Sequence, residues 1–122
     1  MKRDMDLIIK ILEFYESREE VSADTNPEIT GYEKGVVAYH IRRMYEAGLL
    51  DAEAVTSSTT KTRLVNVIPF GLTWEGHEFL DSMRQKGVGK IIRKKLGETL
   101  SHVPFLLIKE LALSIGREKL GI

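Results

Sequence analysis

In Val36-Val37-Ala38-Tyr39-His40-Ile41-Arg42-Arg43-Met44-Tyr45-Glu46-Ala47-Gly48-Leu49-Leu50, the apolar residues Val37, Ile41 and Met44 fall at i, i+4 and i+7. That is the stripe a helix lays against a core. Gly48 stands where a helix stops in the left-handed conformation that glycine takes without steric penalty. The spacing predicts a helix over residues 34–47. Its opposite face carries Ala38, Tyr39, Arg42, Arg43 and Glu46, so the basic side chains point away from the core.

Upstream, Met5, Ile8, Ile9, Leu12 and Tyr15 recur at helical spacing, with Asp4 available as N-cap and Asp6 in the first turn. A helix over residues 4–17 is expected, its acids favoured by the macrodipole. Residues 19–30 are polar and acidic and carry Asn26-Pro27, so they read as a loop, with residues 28–30 open to a short strand. No strong amphipathic pattern stands between these two helices.

Downstream, residues 49–55 mix apolar and acidic side chains, residues 56–60 form a polar turn, and residues 62–68 alternate Leu64, Asn66 and Ile68 with Arg63, Val65 and Val67. Two β strands joined as a hairpin fit that pattern, with Pro69 and Gly71 ending it. Thr73 is placed to cap a helix bearing Trp74, Phe79, Leu80 and Met83. Trp74 is read as a core or core-edge aromatic closing the hairpin onto the first helix. Gly87 and Gly89 set off a basic segment, residues 90–96, which Gly97 breaks. Ser101 is expected to cap a last helix reaching about Lys119, with Pro104 in its first turn.

The order of these pieces resembles the winged-helix transcription regulators. In that class a recognition helix ends in an Ala-Gly-Leu turn, a hairpin wing follows, and a Leu-Thr-x-x-Gly sequence opens the next helix. The chain is most similar to domain of unknown function 2513, a family found in phages and prophages. The matching stretches are Met1-Lys2-Arg3-Asp4-Met5-Asp6-Leu7-Ile8, Tyr39-His40, Glu46-Ala47-Gly48-Leu49 and Leu72-Thr73-Trp74-Glu75-Gly76-His77-Glu78-Phe79-Leu80. The resemblance covers residues 1 to about 83 and brings no known activity with it. It implies an α+β fold, mainly helical: a winged helix-turn-helix domain over residues 1–85, followed by a basic segment and a C-terminal apolar helix over residues 86–122.

The function expected of that fold is DNA-binding transcriptional regulation, with a helix in the major groove and a basic wing on phosphate or minor groove. Lys34, Ala38, Tyr39, Arg42 and Arg43 are the candidate groove residues. Thr60, Lys61 and Arg63, with Thr59 and Thr62 beside them, are the candidate wing contacts. The plainer alternative makes these the solvated face of a helix and a loop. A second alternative is a winged-helix module that binds another protein and not DNA, and fold alone does not choose between them. Glu33 and Glu46 offset the cations of the helix.

Composition bounds the rest. The chain of 122 residues is 43% hydrophobic, enough for one core, and lacks cysteine, which removes disulfides, thiolate nucleophiles and cysteine zinc sites. With acids at Asp4 and Asp6 and no apolar run near the roughly 18 residues of a membrane span, a cytoplasmic location and no membrane partner are expected. The net charge of +0 hides an uneven distribution. Residues 1–54 carry 7 Lys and Arg against 12 Asp and Glu, and residues 55–122 carry 11 against 6.

His40, His77 and His102 are far apart in sequence, so neither a metal nor another cofactor is expected, and His40 reads as a hydrogen-bonded boundary residue. Glu75, Glu78 and Asp81 have a structural explanation as acids near a helix start. No phosphate loop, nucleophile elbow or triad pattern appears, so the chain is read as a binder rather than an enzyme. Lys90 to Lys95 is a solvated charge run or a further phosphate contact. The last helix is expected to dimerise through Phe105, Leu107, Ile108, Leu111 and Ile115. With Leu106, Ala112 and Leu113, these wrap its apolar surface beyond what one core can cover.

Overall fold

A computed structural model describes residues 1–19, 27–85 and 87–121 of the chain. Five helices and one antiparallel hairpin follow in the order α1 (Met5–Ser17), α2 (Lys34–Glu46), β1 (Leu50–Thr56), β2 (Leu64–Leu72), α3 (Trp74–Arg84), α4 (Val88–Leu96) and α5 (Phe105–Leu120). A short 3-10 turn, Gly97–Ser101, links α4 to α5. The architecture is α+β.

Helix α1 starts where its cap allows. The Asp4 side chain accepts a hydrogen bond from the Leu7 amide at 3.2 Å, satisfying one of the donors a helix start leaves open. Met5, Leu7, Ile8, Ile11, Leu12 and Tyr15 are buried, so this helix is the centre of the core. Helix α2 adds Val37, Ile41 and Met44, as their spacing required. It ends at Gly48, whose φ of +79° is the left-handed turn expected there.

Most of the loop expected over residues 19–30 lies outside the described residues. Residues 28–30 form no strand. The chain turns there instead, with the Tyr32 amide donating to the Ile29 carbonyl at 3.1 Å.

Strand β2 runs past the residues expected to end it. It continues through Pro69 and Gly71 to Leu72, with Ala52 opposite Pro69 and a register shift between Asp51 and Ala52. In a two-stranded sheet each strand has a free edge, where a proline's missing donor costs nothing, and a bulge absorbs the odd residue. The buried residues of β2 are Val67 and Pro69, while Val65 stays exposed.

Thr73 caps α3 as read: its hydroxyl accepts from the Gly76 amide at 3.0 Å and donates to the Gly48 carbonyl at 2.5 Å. Trp74 is a correction. It is 79% exposed, its indole N–H donates to Glu78 one turn on, and it closes nothing onto α1. The helix stripe that builds the core runs instead through Gly76, Phe79 and Leu80.

Ser101 is the other correction. It belongs to the 3-10 turn, and α5 begins at Phe105 after Pro104 in the cap position. The Arg3 guanidinium holds this joint, donating through one nitrogen to the carbonyls of Leu100 at 2.6 Å and Val103 at 2.5 Å. Val88, Ile92, Ile108, Ala112 and Ile115 join the α1 residues in one apolar cluster. Among the described residues no helix is long and apolar enough to cross a membrane.

Candidate nucleic-acid interface

The outward face of α2 exists because its inward face is spent on the core. Lys34 and Ala38 are exposed, Arg43 is exposed, and Tyr39 and Arg42 are half-buried. The Arg42 guanidinium reaches across to β2 and donates to the Val65 carbonyl at 3.2 Å. The helix is thereby tied to the hairpin through a residue whose charge remains accessible.

Arg43 is more engaged. It forms an ion pair with Glu46 at 2.9 Å, the i, i+3 neighbour on its helix, and stands over the Tyr39 ring at 5.1 Å from the centroid. Hydrogen bonding with Tyr39, then the charge of Glu46, raise its guanidinium above the ordinary arginine range. Any anion that takes Arg43 must compete with Glu46.

The hairpin tip is built by Ser57. Its hydroxyl accepts from the amides of Thr59 and Thr60, both at 3.2 Å, and its own amide donates to the Arg63 carbonyl at 2.9 Å. This local satisfaction of backbone donors lets a tip of small polar residues hold one shape. Thr60, Lys61, Thr62 and Arg63 are all exposed on it.

Between α2 and the hairpin lies a crevice of about 540 Å³, bordered by Arg42, Arg43 and Glu46 on one side and Ala54, Thr56, Thr62 and Leu64 on the other. The structure therefore brings the two arginines and the hairpin together. Lys34 sits about 12 Å from Arg42 along the axis, at the far end of α2. It borders a separate, smaller crevice with Pro27, Ile29 and Tyr32. Thr56 and Tyr45 line the main crevice without having been singled out in the sequence. The only signal for Tyr45 is its i+3 offset from Arg42.

A second groove, of about 480 Å³, opens on the other flank of α2, where Tyr39 and Arg43 meet Lys2, Arg3, His102 and Phe105. Nothing in the sequence joins residues some hundred positions apart. His40 lies beneath it and is no boundary residue, being 1% exposed. Its Nε2 accepts from the Asp4 amide at 2.9 Å and its Nδ1 lies 2.8 Å from the Val36 carbonyl. One ring nitrogen accepting and the other donating is the pattern of a neutral imidazole protonated on Nδ1. His77 and His102 are exposed.

The residues expected to dimerise divide. Ile108 is fully buried and Ile115 nearly so, Phe105 and Leu111 are half-buried against the same core, and Leu107 is 53% exposed. Phe105 packs its ring 5.2 Å from that of Phe79. Most of this set is thus taken up within the chain by α3 and α4.

The described chain is an α+β protein in which an exposed helix face and a polar hairpin tip flank one crevice. It belongs to the family described as "Hypothetical protein (DUF2513)", which it matches over residues 2–100. An uncharacterised protein of Haemophilus influenzae is 31% identical to it over 116 residues, covering 94% of this chain and 95% of that one. No solved structure matches the chain.

Proposed function

We propose that this chain binds double-stranded DNA as a winged-helix transcriptional regulator of the phage and prophage type, a binding rather than a catalytic role. The observation that carries the reading is the crevice between α2 and the hairpin, which sets Arg42 and Arg43 of the helix against the hairpin strands and Thr62 of its tip, where Lys61 and Arg63 are also exposed. Helix α2 has the width a major groove admits, and its outward face offers Lys34, Ala38, Tyr39, Arg42 and Arg43 to base edges and flanking phosphates. Lys61 and Arg63 are the only charges between Glu53 and Glu75, so a backbone phosphate approaching the tip meets no acid there. Thr60 adds a hydroxyl donor.

The net charge of +0 makes non-specific attraction weak at a distance and leaves affinity to these local contacts. Filter binding of random duplex DNA across a salt series tests the reading, because each phosphate neutralised releases counterions and steepens the salt dependence. A protein-binding module is the second reading. It draws on Trp74, a large aromatic left 79% exposed, and gains if duplex DNA gives no salt-dependent binding.

A further inference from the structure

Helix α5 seats one face on the chain, where Ile108, Ala112, Ile115 and Gly116 are buried. A second apolar stripe runs along one flank of that face. Leu106, Leu113 and Leu120 recur every seven residues and, drifting only about 20° per step, form one straight stripe. Leu106 is 60% and Leu120 is 64% exposed, and Leu113, half-buried, takes no part in the core cluster. Leucines seven residues apart supply one of the two positions that line the seam of a helix pair.

The charges beside the seam indicate what covers it. Glu110 and Arg117 lie along one edge of the stripe, themselves seven residues apart, and neither is ion-paired among the described residues. If a second α5 lies antiparallel with the axis at Leu113, Leu106 meets Leu120 of the partner subunit. Glu110 then comes beside Arg117 of the partner subunit, and the two-fold repeats both contacts. A parallel pair would set Phe105 and Ala112 against those charges instead, and both already serve the chain's own core.

We propose that α5 pairs antiparallel with α5 of a second copy of this chain, through Leu106, Leu113 and Leu120 and two crossed Glu110 to Arg117 ion pairs. The interface is self-complementary, as a closed two-fold requires. It replaces the residues expected from sequence, of which Phe105, Ile108, Leu111 and Ile115 pack into the chain's own core. A seam of 16 residues, about 24 Å long, is small for a specific interface, so the dimer separates on dilution. The proposal stands apart from the DNA reading.

Sedimentation equilibrium of the full chain without DNA, from micromolar to millimolar concentration, is the test. The mass is expected to rise from 13.9 kDa toward twice that value. Leu106→Glu and Glu110→Arg, both at exposed positions, are expected to weaken the dimer by about tenfold or more with unchanged circular dichroism. The double charge swap Glu110→Arg with Arg117→Glu is expected to restore it. A monomer at every concentration overturns the proposal, and so does a double swap no tighter than the single one.

Discussion

Gly76 shows how one residue can be fixed by its neighbour rather than by its own helix. A Cβ built there would lie 2.2 Å from the Leu49 carbonyl oxygen, which already accepts from the Thr73 amide. The first turn of α3 therefore lies directly on the turn that ends α2. Gly76→Ala is expected to cost about 1 to 3 kcal/mol, as overpacking does, read as a lower urea midpoint at unchanged slope. An unchanged midpoint would mean the two turns can part freely. The glycine was visible in sequence as part of the Leu72 to Leu80 stretch, but its reason was not, because the clashing atom is backbone 27 residues upstream. His40 is hydrogen-bonded as read, but its full burial was missed for a similar cause. Its partners are an amide at the start of α1 and a carbonyl of its own helix, and only the folded chain brings the first of these near. Trp74 was misread because apolar residues at a helix start are indistinguishable in sequence from those one turn later. Here the inward stripe begins at Gly76.

Among the elements, α2 and the hairpin have to act together. Arg43 is held by Glu46, so removing that acid frees a cation on the face proposed to enter the groove. Glu46→Gln is expected to tighten duplex binding by about three- to tenfold and to add about 0.9 to the magnitude of the salt slope if Arg43 gains a phosphate. Weaker or unchanged binding would take Arg43 out of the interface. At the hairpin tip, Lys61→Ala with Arg63→Ala is expected to lower affinity for all duplex sequences alike and to reduce the slope by about 1 to 2, as backbone contacts do. A loss confined to one sequence would assign the tip to base reading. The limits of α1 and α2 and the start of α3 were legible because caps and stripes are local properties, written within a turn or two of the residues they govern. The end of β2 was not, because whether Pro69 stops a strand depends on how many strands flank it. Nor was the start of α5. Ser101 has the chemistry of a cap, yet the turn from Gly97 uses it first, and Arg3 from the other end of the chain fixes the joint.

At the scale of the whole molecule, the core gathers α1, the inward stripe of α2 and the buried residues of α3, α4 and α5 into one cluster. The candidate interface is what remains of α2 and the hairpin once that core is formed. Its cations were legible in sequence as residues off the apolar stripe. Their restraints were not, because the Arg42 link to Val65 spans 23 residues and depends on the hairpin's path. Charge complicates the picture, since the acidic N-terminal half and the basic C-terminal half fold together, with Arg84 gripping Glu16 and Arg93 pairing with Asp6. Bonds to Glu16 and then Asp81 hold the Arg84 guanidinium above its ordinary range. These surface pairs contribute modestly to stability, but they neutralise cations that a sequence count would offer to DNA. The cations that remain at the crevice and tip are therefore the ones to weigh. The most direct test of DNA binding is the equilibrium affinity of the wild-type chain for random duplex DNA from low to physiological salt. The expected result is binding whose logarithm falls linearly with the logarithm of salt, with a slope of about −2.7 to −4.5 for three to five phosphate contacts. Affinity that is absent at low salt, or that does not change with salt, would contradict it.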